Sequence, residues 1–297
     1  MAPAGKLPQI FARAWNVETL ASRENRWLKR FRAALRSGEA TTDGCVGVEG
    51  VRLVEEALRS GLAVEAVLVS TSGERHLERL GRWIELGVRL LRTSDRLFAG
   101  VADTQTPQGV AALVHPRRAA FDDIVRGLPL VVVLVGVQDP GNVGTILRAA
   151  EAFGASGAAT CAAGSSGSAN PLAPKALRAS AGSALRLPLL HGMSVSILLA
   201  QLRMAGVKLY AASLERAQGA PGTPPLLSPW EADLRGPAAL LVGNEGAGLP
   251  AEVERSADAL MCIPMAAGVD SLNAAVAASV LLYEAARQRG SAQGPQR

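Results

Sequence analysis

Short runs of apolar residues alternate with amphipathic stretches and polar loops along the chain. The clearest run is 131–135, VVVLV, whose β-branched and aliphatic residues predict a strand buried on both faces of a parallel sheet. Further strands are predicted at 64–69, 110–114, 207–212 and 239–242, with helical patterns between them. This alternation of strands and helices predicts an α/β protein.

The composition changes between residues 115 and 128, where Pro116, Arg117 and Arg118 interrupt the apolar pattern. With 297 residues the chain is long enough for two domains, and we place the boundary in this charged stretch. The predicted parts are a loosely ordered N-terminus over 1–20, a small α/β domain over 21–115, a linker over 116–128 and a larger α/β domain over 129–290.

A polar loop and a helix pattern follow the strand at 131–135. Loops at the carboxyl ends of buried parallel strands are where α/β proteins bind ligands, and this one carries Asn142, with Arg148 beyond it. A helix starting near Asn142 puts Arg148 almost two turns further along, and we expect the two side chains within about 60° of the same face. Taken alone, the stretch fits an ordinary crossover with a capping Asn and a surface Arg equally well.

Two later stretches repeat the arrangement of a strand followed by a loop of small residues. Residues 239–249, ALLVGNEGAGL, predict a strand and a Gly-rich loop, and residues 262–284 predict a short strand, a loop and a helix that begins near Ser271. In this order the three stretches resemble the signature motifs of the SpoU (TrmH-type) RNA ribose 2'-O-methyltransferases, which belong to the SPOUT superfamily. The match is specific because each stretch follows a strand and the order is kept.

The N-terminal part resembles the substrate-binding domain that precedes the catalytic domain in many SpoU proteins. Glu49, Gly50 and the turn at 106–109 carry this resemblance. The family fold implies a C-terminal knotted α/β methyltransferase domain of the SPOUT type, a smaller N-terminal α/β domain that binds RNA, and a homodimer. One face of the last helix suits either an intimate dimer or a tight internal contact, through Ala275, Ala278, Ser279 and Leu282.

The resemblance implies S-adenosylmethionine as the methyl donor, held by the three loops. Glycines let the main chain approach a ligand closely, and backbone amides and carbonyls can read the edge of an adenine. Ile263 and Leu272 also fit plain core positions, and the two roles are compatible. The implied cofactor-binding residues are Gly243, Ile263, Met265 and Leu272.

The resemblance also implies a catalytic set, which consists of Asn142, Arg148, Glu245, Ser271 and Asn273. Because a guanidinium stays protonated in proteins, we favour Arg148 as a clamp on the neighbouring phosphate that also stabilises a developing alkoxide, rather than as a base. Asn142 would orient the Arg or the ribose, and Glu245 would order its loop or hold Asn142. Ser271 is a candidate N-cap of the last helix as well as a catalytic residue, and Asn273 would face the reacting centre.

The formal net charge of +5 fits a polyanionic partner. Basic residues cover much of a predicted amphipathic helix over 22–35, and this surface is either a solvated face or a contact to an RNA backbone. A second basic pair lies near a later helix start, where backbone donors already favour phosphate. The RNA-binding residues predicted from these stretches are Lys29, Arg30, Lys175 and Arg178.

Several classes of site and location are disfavoured by the sequence. The 3 cysteines are isolated and the 3 histidines are scattered, so we predict no metal site and free thiols in a reducing cytoplasm. No apolar run is long enough to span a membrane, and no signal-peptide core is present in residues 1–20. The loops contain neither G-x-G-x-x-G nor a Walker A lysine, which argues against a nicotinamide-dependent oxidoreductase.

The residues and the resemblance together predict an enzyme that transfers a methyl group from S-adenosylmethionine to a ribose 2'-hydroxyl of RNA, with ribosomal RNA favoured over transfer RNA. The alternative is a catalytically silent RNA-binding protein of the same fold. A third interpretation keeps the methyl transfer but assigns it to antibiotic resistance. The sequence does not identify the target nucleotide.

Overall fold

A computed structural model describes residues 17–36, 38, 40–85, 87–163, 166–214 and 223–293. The described residues divide into two compact units. The first contains the chain up to Arg117 together with Leu172–Leu185, and the second contains Arg118–Pro171 and the chain from Arg186 onward.

The first unit is built on a mixed five-stranded sheet with the strand order β1-β4-β3-β5-β2. Its strands are β1 (Val17–Leu20), β2 (Val46–Glu49), β3 (Val64–Ser70), β4 (Arg89–Thr93) and β5 (Val110–Val114). Its early helices are α1 (Arg26–Arg36), α2 (Val51–Arg59), a 3-10 helix (Ser72–His76), α3 (Leu77–Gly81) and α4 (Asp95–Ala99). Strand β5 runs antiparallel to both of its neighbours, β2 and β3.

The N-terminal end of this unit differs from the prediction in two places. Residues 1–16 lie outside the described residues, but Val17–Leu20 forms a strand paired with β4, so the prediction of loose order was wrong for these four residues. The helix predicted over 22–35 begins only at Arg26, because the Asn25 side chain accepts a hydrogen bond from the Trp27 amide and so caps it. The apolar face of this helix is buried through Trp27, Leu28, Phe31 and Leu35.

The second unit is built on an eight-stranded sheet with the order β11-β13-β10-β12-β6-β7-β8, in which β9 also pairs with β7. Its strands are β6 (Leu130–Val135), β7 (Gly157–Ala163), β8 (Ser166–Gly167), β9 (Leu189–Ser194), β10 (Lys208–Ala212), β11 (Leu226–Leu227), β12 (Ala238–Val242) and β13 (Ala259–Met261). The helices that follow β5 along the chain are α5 (Phe121–Ile124), α6 (Pro140–Ala152), α7 (Pro174–Ser180), α8 (Ser183–Arg186), α9 (Val195–Met204), α10 (Ala251–Arg255) and α11 (Ala274–Gln293). Strand β6 is fully buried between β12 and β7, to both of which it is parallel, as its unbroken apolar run predicted.

Two segments belong to units in a way that the composition of the sequence did not predict. The predicted linker 116–128 contains α5, whose Ile124 is buried in the core of the second unit, because an apolar residue on a short helix gains more from burial than from exposure. Segment Leu172–Leu185, which carries α7, groups with the first unit although it lies between strands of the second. Nothing in its local sequence indicated this placement.

The last helix, α11, has two apolar faces. Ala275, Ala278 and Leu282 are buried within the second unit, which is the tight internal contact that small residues permit. Val276, Val280 and Tyr283 form a separate exposed row at helical spacing, and Tyr283 packs edge-on against Phe153. Within the described residues, no helix is long and apolar enough to cross a membrane.

Candidate active site

The loops that follow β6 and β12 lie at the carboxyl ends of these two neighbouring parallel strands. Hydrogen bonds join the two loops. The Asn244 side chain donates to the carbonyl of Gly136 at 3.0 Å, and the Glu245 carboxylate accepts from the amides of Gln138 and Asp139 at 3.2 and 3.1 Å. The first and second motifs, more than 100 residues apart, therefore form one structure at this edge of the sheet.

Glu245 is held as an anion that accepts several hydrogen bonds. Partial burial of its carboxyl group opposes ionisation, but the hydrogen bonds from the Asn142 side chain and from backbone amides outweigh burial and lower the pKa of Glu245. A carboxylate with a lowered pKa and occupied lone pairs is a weak base. Its geometry instead fits both expected roles, ordering the loop and holding Asn142.

Three side chains form a directional chain of hydrogen bonds. The Asn142 Nδ2 donates to Glu245 Oε1 at 2.8 Å, and the Asn273 Nδ2 donates to Asn142 Oδ1 at 3.0 Å. Because an ionised carboxylate only accepts, it fixes which end of the Asn142 amide faces it, and Asn142 in turn fixes the orientation of Asn273. Asn142 is only 9% exposed, so this polarity is set inside the protein.

Asn273 is also the residue that caps α11. Its Oδ1 accepts from the amides of Ala275 and Val276 at 2.9 and 3.3 Å, as an N-cap side chain does. The capping role proposed for Ser271 is therefore wrong, because the helix begins at Ala274, two residues later than that role requires. Ser271 lines a cleft instead.

Arg148 does not share a face with Asn142. Six residues of α-helix turn through about 600°, which leaves roughly 120° between the two side chains, so the expected separation of about 60° was wrong. In the structure Asn142 is buried, whereas Arg148 is exposed and has no hydrogen-bond partner among the described residues. Arg148 is thus a charged group on the surface of α6, accessible to a ligand from solvent.

The residues predicted to bind the cofactor meet in one cleft of about 820 Å³, including its open mouth. Its apolar wall and its main-chain loops suit an adenine, and the carboxylates of Glu245 and Glu254 on its lining suit a cation such as a sulfonium. The donor set and the size therefore fit S-adenosylmethionine. All four predicted residues, Gly243, Ile263, Met265 and Leu272, line this cleft.

Gly243 is required by the fold of the loop itself. A Cβ at this position would lie 2.3 Å from the carbonyl carbon of Gly248 and 2.4 Å from the amide nitrogen of Leu249. The loop turns back on its own strand there, with Asn244 and Gly248 joined through both of their backbone groups. A larger residue at 243 would displace this loop whether or not a ligand is bound.

Several residues of the cleft were missed by the sequence analysis. Ser213 and Leu214 follow β10, the parallel neighbour of β12, and Ser213 Oγ donates to the Glu254 carboxylate at 2.9 Å. The end of strand β10 was the available signal, since ligand sites collect at the carboxyl edge of a parallel sheet. Asn244 was also missed, although its Oδ1 accepts from the amides of residues 246 and 247 and so shapes the loop.

A second cavity, of about 740 Å³, lies between α6 and α11. Asn142 and Asn273 line it, together with Thr145 and the exposed row of Val276, Val280 and Tyr283. Segment 271–274 lines both cavities, with Ser271, Leu272 and Ala274 on the cleft and Asn273 on the second cavity. The asparagine pair therefore faces a space next to the cofactor cleft.

Most of the predicted RNA-binding residues are engaged by acidic groups. Lys29 pairs with Glu24 at 2.6 Å, Arg30 contacts Glu65 and Asp43, and Arg178 pairs with Asp103 at 2.8 Å within the first unit. Lys175 is the second residue of α7. Lys29 remains half exposed, whereas Arg30 is a structural ion-pair residue first.

Two family models match this chain. The model described as SpoU rRNA Methylase family matches residues 129–283, and the model described as MRM3-like substrate binding domain matches residues 29–112. A curated relative from Bacillus subtilis, 23S rRNA (guanosine(2553)-2'-O)-methyltransferase RlmP, is 31% identical over 90% of this chain and 98% of its own length.

Solved structures agree with the sequence matches. The AdoMet-bound rRNA methyltransferase from Sinorhizobium meliloti has a TM-score of 0.76 and 29% identity, over 91% of this chain and 98% of that one. The SpoU methyltransferase AviRb from Streptomyces viridochromogenes, in complex with AdoMet, has a TM-score of 0.74 and 28% identity, over 90% of this chain and 100% of that one. The chain therefore belongs to the SpoU rRNA methylase family of S-adenosylmethionine-dependent RNA 2'-O-methyltransferases.

Proposed function

We propose that this protein methylates a ribose 2'-hydroxyl of ribosomal RNA, with S-adenosylmethionine as donor. The observation that carries the proposal is the series of side-chain hydrogen bonds from Asn273 through Asn142 to Glu245, which lies beside a cleft that fits the donor. Ribosomal rather than transfer RNA is supported by the names of relatives such as RlmP and the 23S rRNA (guanosine-2'-O-)-methyltransferase RlmB of Ralstonia nicotianae, which is 34% identical over 68% of this chain and 78% of its own length.

The cleft residues position the donor, which supplies an electrophilic methyl group when bound. Ile263, Met265 and Leu272, which line the cleft, would provide the apolar contacts for its adenine, and the main chain after Gly243 would provide donors and acceptors for the ring edge. These residues exclude water and fix orientation, which accounts for a large part of the rate of a bimolecular transfer.

The remaining residues act on the ribose by orientation and charge. Glu245 is a weak base, so the asparagine pair serves to hold the ribose hydroxyl in line, and the hydroxyl proton is lost to solvent water as the oxygen takes the methyl group. Arg148 clamps the phosphate next to the target ribose and stabilises the developing alkoxide, because its planar fork can hold two oxygens at once. Ser271, on the lining of the cleft, is positioned to hydrogen-bond either donor or ribose.

We also propose that the protein is a homodimer formed through α11. Val276, Val280 and Tyr283 are 49%, 38% and 57% exposed and form a continuous apolar row beside the second cavity. Such a row on a helix suits the same row on a second copy. The knotted topology of the family and a cytoplasmic location, where ribosomal RNA is found, complete the proposal.

The proposal is tested by methyl transfer to ribosomal RNA from a strain that lacks this gene. Labelled donor should be incorporated at one ribose, identified by mapping 2'-O-methyl sites. Arg148→Lys keeps the positive charge but loses the planar guanidinium that can hold two oxygens. It should reduce turnover about 100-fold or more, as the removal of one transition-state hydrogen-bond donor does. Arg126→Lys, at a side chain that is 82% exposed elsewhere in the second unit, should leave turnover unchanged.

The pH–rate profile separates the two roles of Arg148. A clamp makes Arg148→Lys slower at every pH with an unchanged profile, whereas a base would shift the inflection of the profile. Donor binding measured by calorimetry should remain at its wild-type affinity in this variant. Donor and RNA binding without any methyl transfer would instead indicate the catalytically silent alternative.

A further inference from the structure

The sheet of the first unit brings three metal-ligating side chains together from distant positions in the sequence. Val46 and Val64 both stand opposite Val114, so Cys45 before β2 and Glu65 near the start of β3 both lie beside His115, directly after β5. The pairing of β3 with β5 shifts register between Val64 and Ala66, where Glu65 lies. A bulge of this kind re-aims a side chain, here toward the other two.

The donor atoms of the three residues are close enough to share one ion. Cys45 Sγ lies 3.2 Å from Glu65 Oε2 and 3.3 Å from His115 Nε2, and all three donor atoms are within 4.8 Å of one another. Tetrahedral zinc, with bonds of about 2.0–2.3 Å, separates its neighbouring ligand atoms by roughly 3.3–3.7 Å. The observed separations are near this range before any adjustment.

Hydrogen bonds fix the backbone of two of these ligands, Cys45 and His115, independently of their own side chains. The amide of Cys45 donates to Thr41 Oγ1 at 2.9 Å, its carbonyl accepts from the Thr41 amide at 2.8 Å, and the amide of His115 donates to the Ala63 carbonyl at 2.9 Å. Cys45 is buried, while Glu65 and His115 are partly exposed, so the cluster reaches the surface. An ion can therefore enter a site whose backbone is already fixed.

The surrounding charges also suit a divalent cation. With the Cys45 thiolate formed, this residue together with Glu65 and Asp43 carries three negative charges, and zinc with Arg30 supplies three positive ones. Arg30 contacts both oxygens of Glu65, but a carboxylate has about four lone-pair sites and can be shared between a guanidinium and a metal. Arg30 would then support the Glu65 ligand from behind, as partners of ligating carboxylates do.

We propose that Cys45, Glu65 and His115 bind one zinc ion, whose fourth position is filled by water. A mixed set of thiolate, imidazole and carboxylate favours zinc over magnesium or calcium, which prefer oxygen ligands alone. On binding, the Cys45 Sγ–H bond breaks, an Sγ–Zn bond forms, and the proton leaves to solvent. The ion joins the ends of three strands and so stabilises the first unit, at a site separate from the cofactor cleft.

Cobalt(II) is the probe, because a cobalt–thiolate bond gives a charge-transfer absorption in the near ultraviolet. The full-length, untagged protein is freed of metal with a chelator and titrated with cobalt and then with zinc. Wild type and Cys161→Ser should each bind one cobalt per chain, show this absorption, and lose it when zinc displaces the cobalt. Cys161 is the matched control because it is a buried free thiol of the second unit.

Cys45→Ser should abolish the charge-transfer absorption, and His115→Gln should weaken cobalt and zinc binding at least about 100-fold, since the loss of even an outer partner costs ~10- to 100-fold. Zinc should raise the melting temperature of wild type in proportion to the logarithm of its concentration, and should not do so for His115→Gln. If Cys45→Ser does not fold, metal binding by His115→Gln still tests the proposal. No absorption in wild type, or an unchanged affinity in folded His115→Gln, overturns the proposal.

Discussion

The two units hold their polar side chains in place in different ways. In the second unit, Asn273 donates to Asn142, and Asn142 donates to the ionised carboxylate of Glu245, at the carboxyl ends of parallel strands. In the first unit, Arg30 holds Glu65 next to the Cys45 thiol, where antiparallel strands end and begin. The first arrangement is directional, since each amide has a fixed donor and acceptor end, whereas the second is held by opposite charge.

The hydrogen-bonded amides of the second unit are suited to orient a reacting group, whereas the ion pair of the first unit is suited to stabilise the fold. A directional series of hydrogen bonds that ends beside a cleft can hold a reacting group in one pose. If any of the side-chain amides were reversed, its NH2 group would face another hydrogen-bond donor. An ion pair between two long side chains tolerates more movement and contributes mainly to the stability of its unit. We therefore expect substitutions in the Asn142–Glu245–Asn273 chain to affect activity, and substitutions around Arg30 to affect stability.

The largest effect is expected for Glu245→Gln. Each carboxylate oxygen accepts from a backbone amide that cannot reverse, Oε2 from Gln138 and Oε1 from Asp139, so the new NH2 faces a donor in either orientation. Because residue 245 is exposed, water can satisfy part of the lost hydrogen bonding, so the free energy of unfolding should decrease by less than about 1 kcal/mol, whereas the misplaced loop should lower turnover about 100-fold or more. Chemical denaturation and single-turnover methylation measure the two effects, with exposed Glu252→Gln as the control.

The same variant has a signature in the pH dependence of stability. The pKa of Glu245 is lowered in the folded protein, so this group stabilises the fold above its unfolded pKa, and the contribution is lost as the pH falls through the folded pKa. The stability of wild type should therefore decrease more steeply below about pH 4.3, the ordinary pKa of a glutamate, than that of Glu245→Gln. Parallel curves, with turnover near wild type, would remove Glu245 from the proposed role.

The contrast also explains which features the sequence could predict. The strand at 131–135 and the loops that follow β6, β12 and β13 are contiguous patterns, and parallel strands of one sheet bring their carboxyl ends to one edge. The cofactor-binding residues could therefore be placed together, and the four do meet in one cleft. The α/β class followed from the same alternation of elements, and the family from the three motifs.

Other features depended on tertiary contacts that no local pattern encodes. Cys45, Glu65 and His115 lie 20 to 70 positions apart, and their approach depends on strand order and on one register shift. The prediction of free, isolated thiols could not include this juxtaposition. The same reason applies to the position of Leu172–Leu185 in the first unit and to the ion pairs of Arg30 and Arg178. The sequence around a basic residue does not show which acidic residue it will contact in the fold.

A smaller effect, on stability alone, is expected for Arg30→Met. Methionine keeps the aliphatic stem but leaves Glu65, whose side chain is only 26% exposed, without its guanidinium partner. The free energy of unfolding should decrease by about 1.5–3 kcal/mol, the range for hydrogen bonds to charged groups. The measurement is denaturant unfolding in the presence of a chelator, so that metal binding does not contribute.

Lys29→Met is the matched control for that change. Lys29 of helix α1 pairs with Glu24, which lies just before that helix, but both side chains are largely exposed, so solvent screens the pair and its loss should matter far less. Turnover on RNA should stay near wild type in Arg30→Met at temperatures where the variant is folded. An equal loss of stability in both variants would show that burial does not distinguish the two pairs.

The smallest effect is expected for Lys29→Gln in RNA binding. Helix α1 projects Lys29 into solvent with 54% of its side chain exposed, so it can exchange Glu24 for a phosphate without breaking the ion pairs of Arg30. Each phosphate contact releases counterions, and its loss should reduce the slope of log affinity against log salt by about 0.7–0.9. Affinity at moderate salt should decrease only a few-fold.

The slope is more informative than the affinity, because a small loss of affinity has many causes whereas a change of slope reports the number of phosphates contacted. Filter binding to ribosomal RNA over a series of salt concentrations gives it directly. Arg235→Gln, which removes an exposed charge from the second unit, is the control for net charge. If Lys29→Gln and Arg235→Gln both keep the wild-type slope, the basic face of α1 is a solvated surface, and the RNA contact of the first unit lies elsewhere.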